Sequence, residues 1–145
     1  EAGLDYHYDK SPRDAQAEGF RRHIRAARET GLPLVVHARE ADEDLARILE
    51  EESAAGGPFK AVLHCFSSGA DLARRGVALG HYVSFSGILT FKNAEGVRAV
   101  AAEVIWPRFR AKNALCGSFL QNHRSVRGLL CPFHSHIATP AQVWP

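Results

Sequence analysis

No methionine occurs among the 145 residues, and the chain opens at Glu1. A chain without an initiator residue reads as part of a longer one. Its first residues, Glu1-Ala2-Gly3-Leu4-Asp5, read as a strand end met part-way. Cysteine is scarce as well. Three in this length make no disulfide framework, so a reducing cytoplasm is the expected setting. No run of 18 apolar residues exists, which argues against a transmembrane helix. No charged-then-apolar leader opens the chain, so nothing points to secretion.

Acid is missing from one segment altogether. Residues 104–145 carry five Lys/Arg and no Asp or Glu, a net of +5. Residues 1–103 carry 13 Lys/Arg against all 16 Asp/Glu, a net of −3. The acid-free segment also holds both Trp, two of the three Cys and four of the seven Pro. The overall charge of +2 thus joins two unlike segments and says little about partners.

What is present is a repeated strand–helix pattern. The stretch Pro33 to Glu43 organises it. A short apolar run, Leu34-Val35-Val36, ends in His37, Arg39 and Glu40, and a helical pattern follows. This is a buried strand that delivers polar groups at its C-terminal tip, where parallel α/β folds place their chemistry. Ala61 to Phe66 repeats the design with His64.

Around these strands the chain reads in order. Ser11-Pro12-Arg13-Asp14 starts a helix with Ser11 as N-cap, Phe20, Ile24 and Ala27 form its apolar stripe, and Gly31 caps its end. Asp42 caps a second helix with Leu45, Ile48 and Leu49 on one face, and Glu50-Glu51-Glu52 reads as its solvated end. A strand over 60–66 follows, then a helix capped by Ser67 or Ser68 and carrying Leu72 and Leu79. A strand over Tyr82–Ser86 and a helix capped by Asn93, with Val97, Val100, Ala101 and Val104, complete the series.

Strict alternation with short connections predicts a parallel sheet. The apolar runs lack clean alternation, which predicts strands buried on both faces. Strand starts near 33, 60 and 82 give a period of roughly 25 residues, close to the unit of a TIM barrel. A doubly wound sheet competes, but no Gly-rich phosphate fingerprint follows any strand. The fold class is α/β, a partial (βα)8 barrel of about four βα units. Beyond Val104 the period fails, and residues 104–145 read as a non-matching basic tail, shifted in frame or fused from elsewhere.

Glu1, His37 and His64 are the candidate metal ligands. Each is expected at a strand C-terminal end, and in a parallel barrel those ends converge on one pocket. One carboxylate and two imidazoles suit zinc, manganese or a similar divalent ion. Two such ions activate water and stabilise both oxygens of a displaced phosphodiester or ester. The competing reading is that these histidines only hydrogen-bond within loops. His7 reads as a substrate-loop residue. His23 and His81 read as surface or helix-side residues, and Cys65 as core packing.

Several pieces resemble the TatD family of metal-dependent deoxyribonucleases, within the amidohydrolase-like TIM barrels. They are E-A-G-L-D-Y-H at Glu1–His7, S-P-R-D-A-Q at Ser11–Gln16, and G-L-P-L-V-V-H-A-R-E-A-D-E at Gly31–Glu43. H-C-F-S at His64–Ser67 and S-F-S-G-I-L-T-F-K-N-A at Ser84–Ala94 complete the set. Together they cover residues 1–103 in the family's order. The resemblance implies a (βα)8 barrel with one or two divalent ions (Mg, Mn or Zn) and DNA as substrate. Glu1 would be the carboxylate that bridges two ions, and His37 and His64 histidine ligands. Arg39 would touch phosphate or pair within its loop, and Asp5 sits beside the ligands. Ser68 departs from the family's Ser-Gly.

Two family motifs are absent. H-x-H belongs upstream of Glu1, and E-T-D belongs near residues 110–117, where its Asp is ligand and base. No catalytic residue is therefore assigned. His134-Ser135-His136, with Cys131 nearby, spells H-x-H without a strand before it. Three functions follow as expectations. The first is a metal-dependent hydrolase of DNA phosphodiester bonds. The second is an inert, truncated or frameshifted product. The third is a nucleic-acid binder acting through Arg108, Arg110, Lys112, Arg124 and Arg127 of the tail.

Overall fold

The computed structural model describes residues 1–105 and 114–116, the last three by their backbone. The order is β1 (Ala2–Asp5), α1 (Arg13–Thr30), β2 (Leu34–Arg39), α2 (Asp42–Gly56), β3 (Ala61–Leu63), α3 (Ala70–Ala78) and β4 (Tyr82–Phe85). A 3-10 turn at Gly87–Thr90, α4 (Glu95–Ile105) and β5 (Ala114–Cys116) follow. All neighbouring strands pair in parallel, in the spatial order β1-β2-β3-β4-β5.

That order decides between the two candidate architectures. A doubly wound sheet reverses its strand order at a switch point. Here the order never reverses, so right-handed crossovers put every helix on the same face. This is the winding of a barrel, and the chain forms a consecutive part of one.

Burial alternates along β2, β3 and β4. Leu4, Leu34, Val36, Ala61, Leu63, Val83 and Phe85 are buried under the helices. Their alternates Gly3, His37, Val62, Tyr82 and Ser84 are half-buried, and Val35 is 37% exposed. The expectation of strands buried on both faces is thus corrected: among the described residues one face is covered by helices, and the face that would line a barrel is not. A continuous apolar run such as Leu34-Val35-Val36 fits either case, because a barrel's lining is also apolar.

The covering helices follow the expected stripes. Phe20, Ile24 and Ala27 of α1 and Leu45, Ile48 and Leu49 of α2 are buried, as are Leu72 of α3 and Val100, Ala101 and Val104 of α4. Gly31 ends α1 in the left-handed conformation at φ 69°. The start signals shift by a residue or more. Pro12, Ala41 and Gly69 occupy the N-cap positions of α1, α2 and α3, each without a side-chain cap, so Ser11, Asp42, Ser67 and Ser68 do not cap. Asp42 instead accepts the Gly69 N–H at 2.8 Å, tying the start of α2 to that of α3.

Two polar groups expected at the surface are inside. Glu52 is 5% exposed and His81 is fully buried. The supposed solvated end of α2 therefore packs inward at Glu52. Arg21 and Arg25 reach it from α1, Arg25 Nη2 at 2.8 Å from Oε1, and Arg28 Nη2 donates to the Glu52 carbonyl at 2.6 Å. His81 sits just before β4 against Phe59, with ring centroids 4.8 Å apart.

The repeat also extends past residue 103. α4 continues through Ile105, and β5 pairs with β4 from Val83↔Ala114 to Phe85↔Cys116. Three residues of the acid-free segment thus continue the sheet. His134, Ser135, His136, Cys131 and the basic residues Arg108, Arg110, Lys112, Arg124 and Arg127 lie outside the described residues. Among the described residues no helix is long and apolar enough to cross a membrane.

Candidate metal centre

Strand parity places the candidate residues on one face. Register sets Gly3 opposite His37 and Asp5 opposite Arg39, while Val36 opposes Leu63. Glu1, Gly3 and Asp5 therefore share a face with Val35, His37 and Arg39, and His64 follows the parity of Val62. This is the uncovered face. The His64 N–H donates to the Val36 carbonyl at 2.8 Å, which holds the two histidine positions side by side on adjacent strands.

Three of the side chains meet. His37 Nε2 lies 3.1 Å from Asp5 Oδ2, and His37 Nδ1 lies 3.8 Å from Glu1 Oε1. The imidazole stands between two carboxylates. Glu1 precedes β1, so it is not at the strand's C-terminal end as expected. Asp5 holds that tip. Its Oδ1 accepts the backbone N–H groups of Tyr8 at 2.9 Å and His7 at 3.1 Å. Those bonds, the Tyr8 N–H above all, together with His37 hold the Asp5 carboxyl below its usual range.

His64 takes a different neighbour. Its Nε2 lies 3.1 Å from Cys65 Sγ. Cys65 is exposed and left-handed at φ 47°, just past β3, which corrects its expected place in the core. The turn that follows carries Ser67 and Ser68 to the rim of a cleft of about 630 Å³, which Arg39, Glu40, Asp42 and Ile88 also line. Arg39 itself lies 5.6 Å over the Tyr8 ring.

The donor chemistry fits a divalent ion: carboxylate oxygens and imidazole nitrogens, partly open to solvent, at one end of a parallel sheet. The arrangement is incomplete. Among the described residues no group of three His, Cys, Asp or Glu side chains is gathered closely enough to hold an ion. Glu1 and His37 offer two donors together, and His64 a third on the next strand.

Sequence reasoning placed Asp5 beside the ligands but missed its bond to the His37 ring. Its position four residues after Glu1, on the same strand face, carried that signal. The pairing of His7 with Glu40, Nδ1 to Oε1 at 2.7 Å, was also missed. No spacing rule joins residues of two separate loops.

Singly wound parallel strands with imidazole and carboxylate on the open face define a partial parallel barrel with a candidate metal site. The chain belongs to the TatD family: the model described as TatD related DNase matches residues 1–109. It is 46% identical over 106 residues to a Bacillus subtilis protein named uncharacterized metal-dependent hydrolase YabD, covering 72% of this chain and 40% of that one. It is 38% identical over 108 residues to the fission yeast protein named deoxyribonuclease Tat-D, covering 71% of this chain and 34% of that one. Among solved structures, the TatD homologue YjjV of Escherichia coli superposes with a TM-score of 0.63 at 28% identity, over 71% of this chain and 39% of that one. The chain thus spans about two fifths of the length of such relatives.

Proposed function

We propose that this chain carries part of the active site of a metal-dependent hydrolase that cleaves phosphodiester bonds in DNA. The observation that carries the reading is the His37 ring set between Glu1 and Asp5 on the open face, in a chain of the TatD family. Glu1, His37 and His64 would be ligands. Bound there, a divalent ion would supply an activated water and neutralise charge on phosphate.

The other residues have roles of their own. Asp5 orients the His37 ring through Nε2, which leaves Nδ1 toward Glu1. Arg39, at the rim of the cleft, is the candidate contact for a phosphate oxygen, and its planar fork suits that geometry. The name deoxyribonuclease belongs to the fission yeast relative and supports DNA as the substrate class here. The cysteine-poor composition supports a cytoplasmic setting.

The test is cleavage of an end-labelled DNA oligonucleotide by the chain with Mg, Mn or Zn, and with the metal chelated. Cleavage is expected only with metal, and His37→Ala should slow it by about 100-fold. Absence of hydrolysis with every ion, or wild-type rates in the variant, would remove the assignment.

A further inference from the structure

The loop after β1 is tied down more firmly than a surface connection requires. The Asp5 carboxylate accepts two of its backbone N–H groups, at His7 and Tyr8. The Gln16 amide donates to the carbonyls of Asp5 and Ser11 and accepts the Asp5 N–H, so α1 clamps both ends of the turn. The Tyr6 N–H donates to the Arg39 carbonyl at 2.9 Å, and the Tyr6 hydroxyl to Asp44 at 2.8 Å. These bonds fix one exposed side chain, His7. Its Nδ1 meets Glu40 Oε1 at 2.7 Å, and the Tyr8 ring stands edge-on to it at 4.8 Å.

Glu40 is itself held in an unusual state. Its φ of 52° is a left-handed conformation rare for a residue with a side chain. Backbone of this kind persists where surrounding structure enforces it, and it concentrates at functional sites. Glu40 also lines the cleft beside Arg39. The Glu40 carboxylate accepts the Nδ1–H, so in the doubly protonated ring the Nε2–H is the proton not taken by Glu40, the arrangement that positions an imidazolium for proton transfer. The carboxylate of Asp5 holds the His7 backbone with one oxygen and the His37 ring with the other, so one side chain ties the His7 loop to the candidate centre.

We propose that His7, oriented by Glu40, is the general acid that protonates the leaving sugar oxygen of the phosphodiester. The role rests on the hydrolase reading above. A water oxygen bonds to phosphorus and gives up a proton to solvent, the bond from phosphorus to the sugar oxygen breaks, and that oxygen's electron pair takes the Nε2 proton of the doubly protonated ring, which is left neutral with its Nδ1–H on Glu40. Bulk water then reprotonates His7. The charged groups that face this imidazole or its loop include Glu40, Asp5, Arg39, Asp44, Asp9, Lys10 and Arg13.

The test compares two leaving groups in the metal-supplemented chain. One substrate is a DNA oligonucleotide, whose departing alkoxide requires a proton. The other is thymidine 5′-(4-nitrophenyl phosphate), whose nitrophenolate departs without one. His7→Ala should slow DNA cleavage by about 100-fold or more, and the ratio of DNA to nitrophenyl-ester rates should fall at least about 30-fold. Glu40→Gln should lower the same ratio by about 10-fold. Added imidazole should restore part of the DNA rate in His7→Ala. Equal losses on both substrates, or loss on neither, would overturn the role while leaving the hydrolase reading intact. A wild-type chain inactive on both substrates would remove the hydrolase reading and this role with it. Both side chains are exposed, so unchanged thermal melts are expected.

Discussion

Gly3 lies directly beneath the His37 carbonyl, and a Cβ built on it would collide with that oxygen. Its φ of 155° is also one that only glycine adopts readily. The closeness of β1 to β2, and with it the meeting of Glu1, Asp5 and His37, depends on the missing side chain.

Gly3→Ala should therefore destabilise the chain by about 3 kcal/mol or more, through overpacking against backbone that has no rotamer to change. The urea midpoint measures this, with the slope unchanged if the unfolded state is unaffected. A loss below about 1 kcal/mol would show that the two strands part without cost.

His81 makes stability depend on pH. Among the described residues neither ring nitrogen has a hydrogen-bond partner, and burial pushes its pKa down to about 4 from an ordinary 6.5. The unfolded chain binds a proton below pH 6.5 that the folded chain refuses until about pH 4. Stability should fall between those values, by about 1.4 kcal/mol per pH unit once His81 of the unfolded chain is fully protonated. His81→Leu removes the ionisable group and should flatten that slope. Urea midpoints at pH 7 and pH 5 for both proteins read it directly, and parallel slopes would show that His81 is not the source.

The architecture and the strand face shared by Glu1, Asp5 and His37 were legible in the sequence because both rest on local pattern. Strand–helix alternation fixes a parallel sheet, and period 2 puts Glu1, Asp5, His37 and Arg39 on one side once register is known. What stayed hidden depends on meetings between distant elements. His81 follows Gly80 and precedes Tyr82, with no local mark of burial. It is Phe59, before another strand, that covers it. The lining of a partial barrel and a strand buried on both faces share one sequence signature, so Val35 gave no warning of its exposure. Left-handed Glu40 and Cys65 are residues that local rules place elsewhere, and both fall at strand tips next to the candidate site.

Glu52 was hidden in the same way, although its partners had left a trace. Arg21, Arg25 and Arg28 recur along α1 at spacings of four and three, a basic stripe facing α2. The hydrogen bond from Arg25 is the main influence holding the Glu52 carboxyl below its usual range, against the opposing effect of burial. Glu52→Ala should cost about 3 kcal/mol at pH 7, since it leaves guanidinium groups partly buried without their acid. A folded pKa below the unfolded value means that the contribution is present above the ordinary carboxylate range and is lost as pH falls through the depressed value. The gap between wild type and variant should therefore be widest near neutrality and close in acid. Denaturant midpoints across that range test it. A gap that stays constant into acid would assign the loss to packing of the glutamate stem, with no part for its charge.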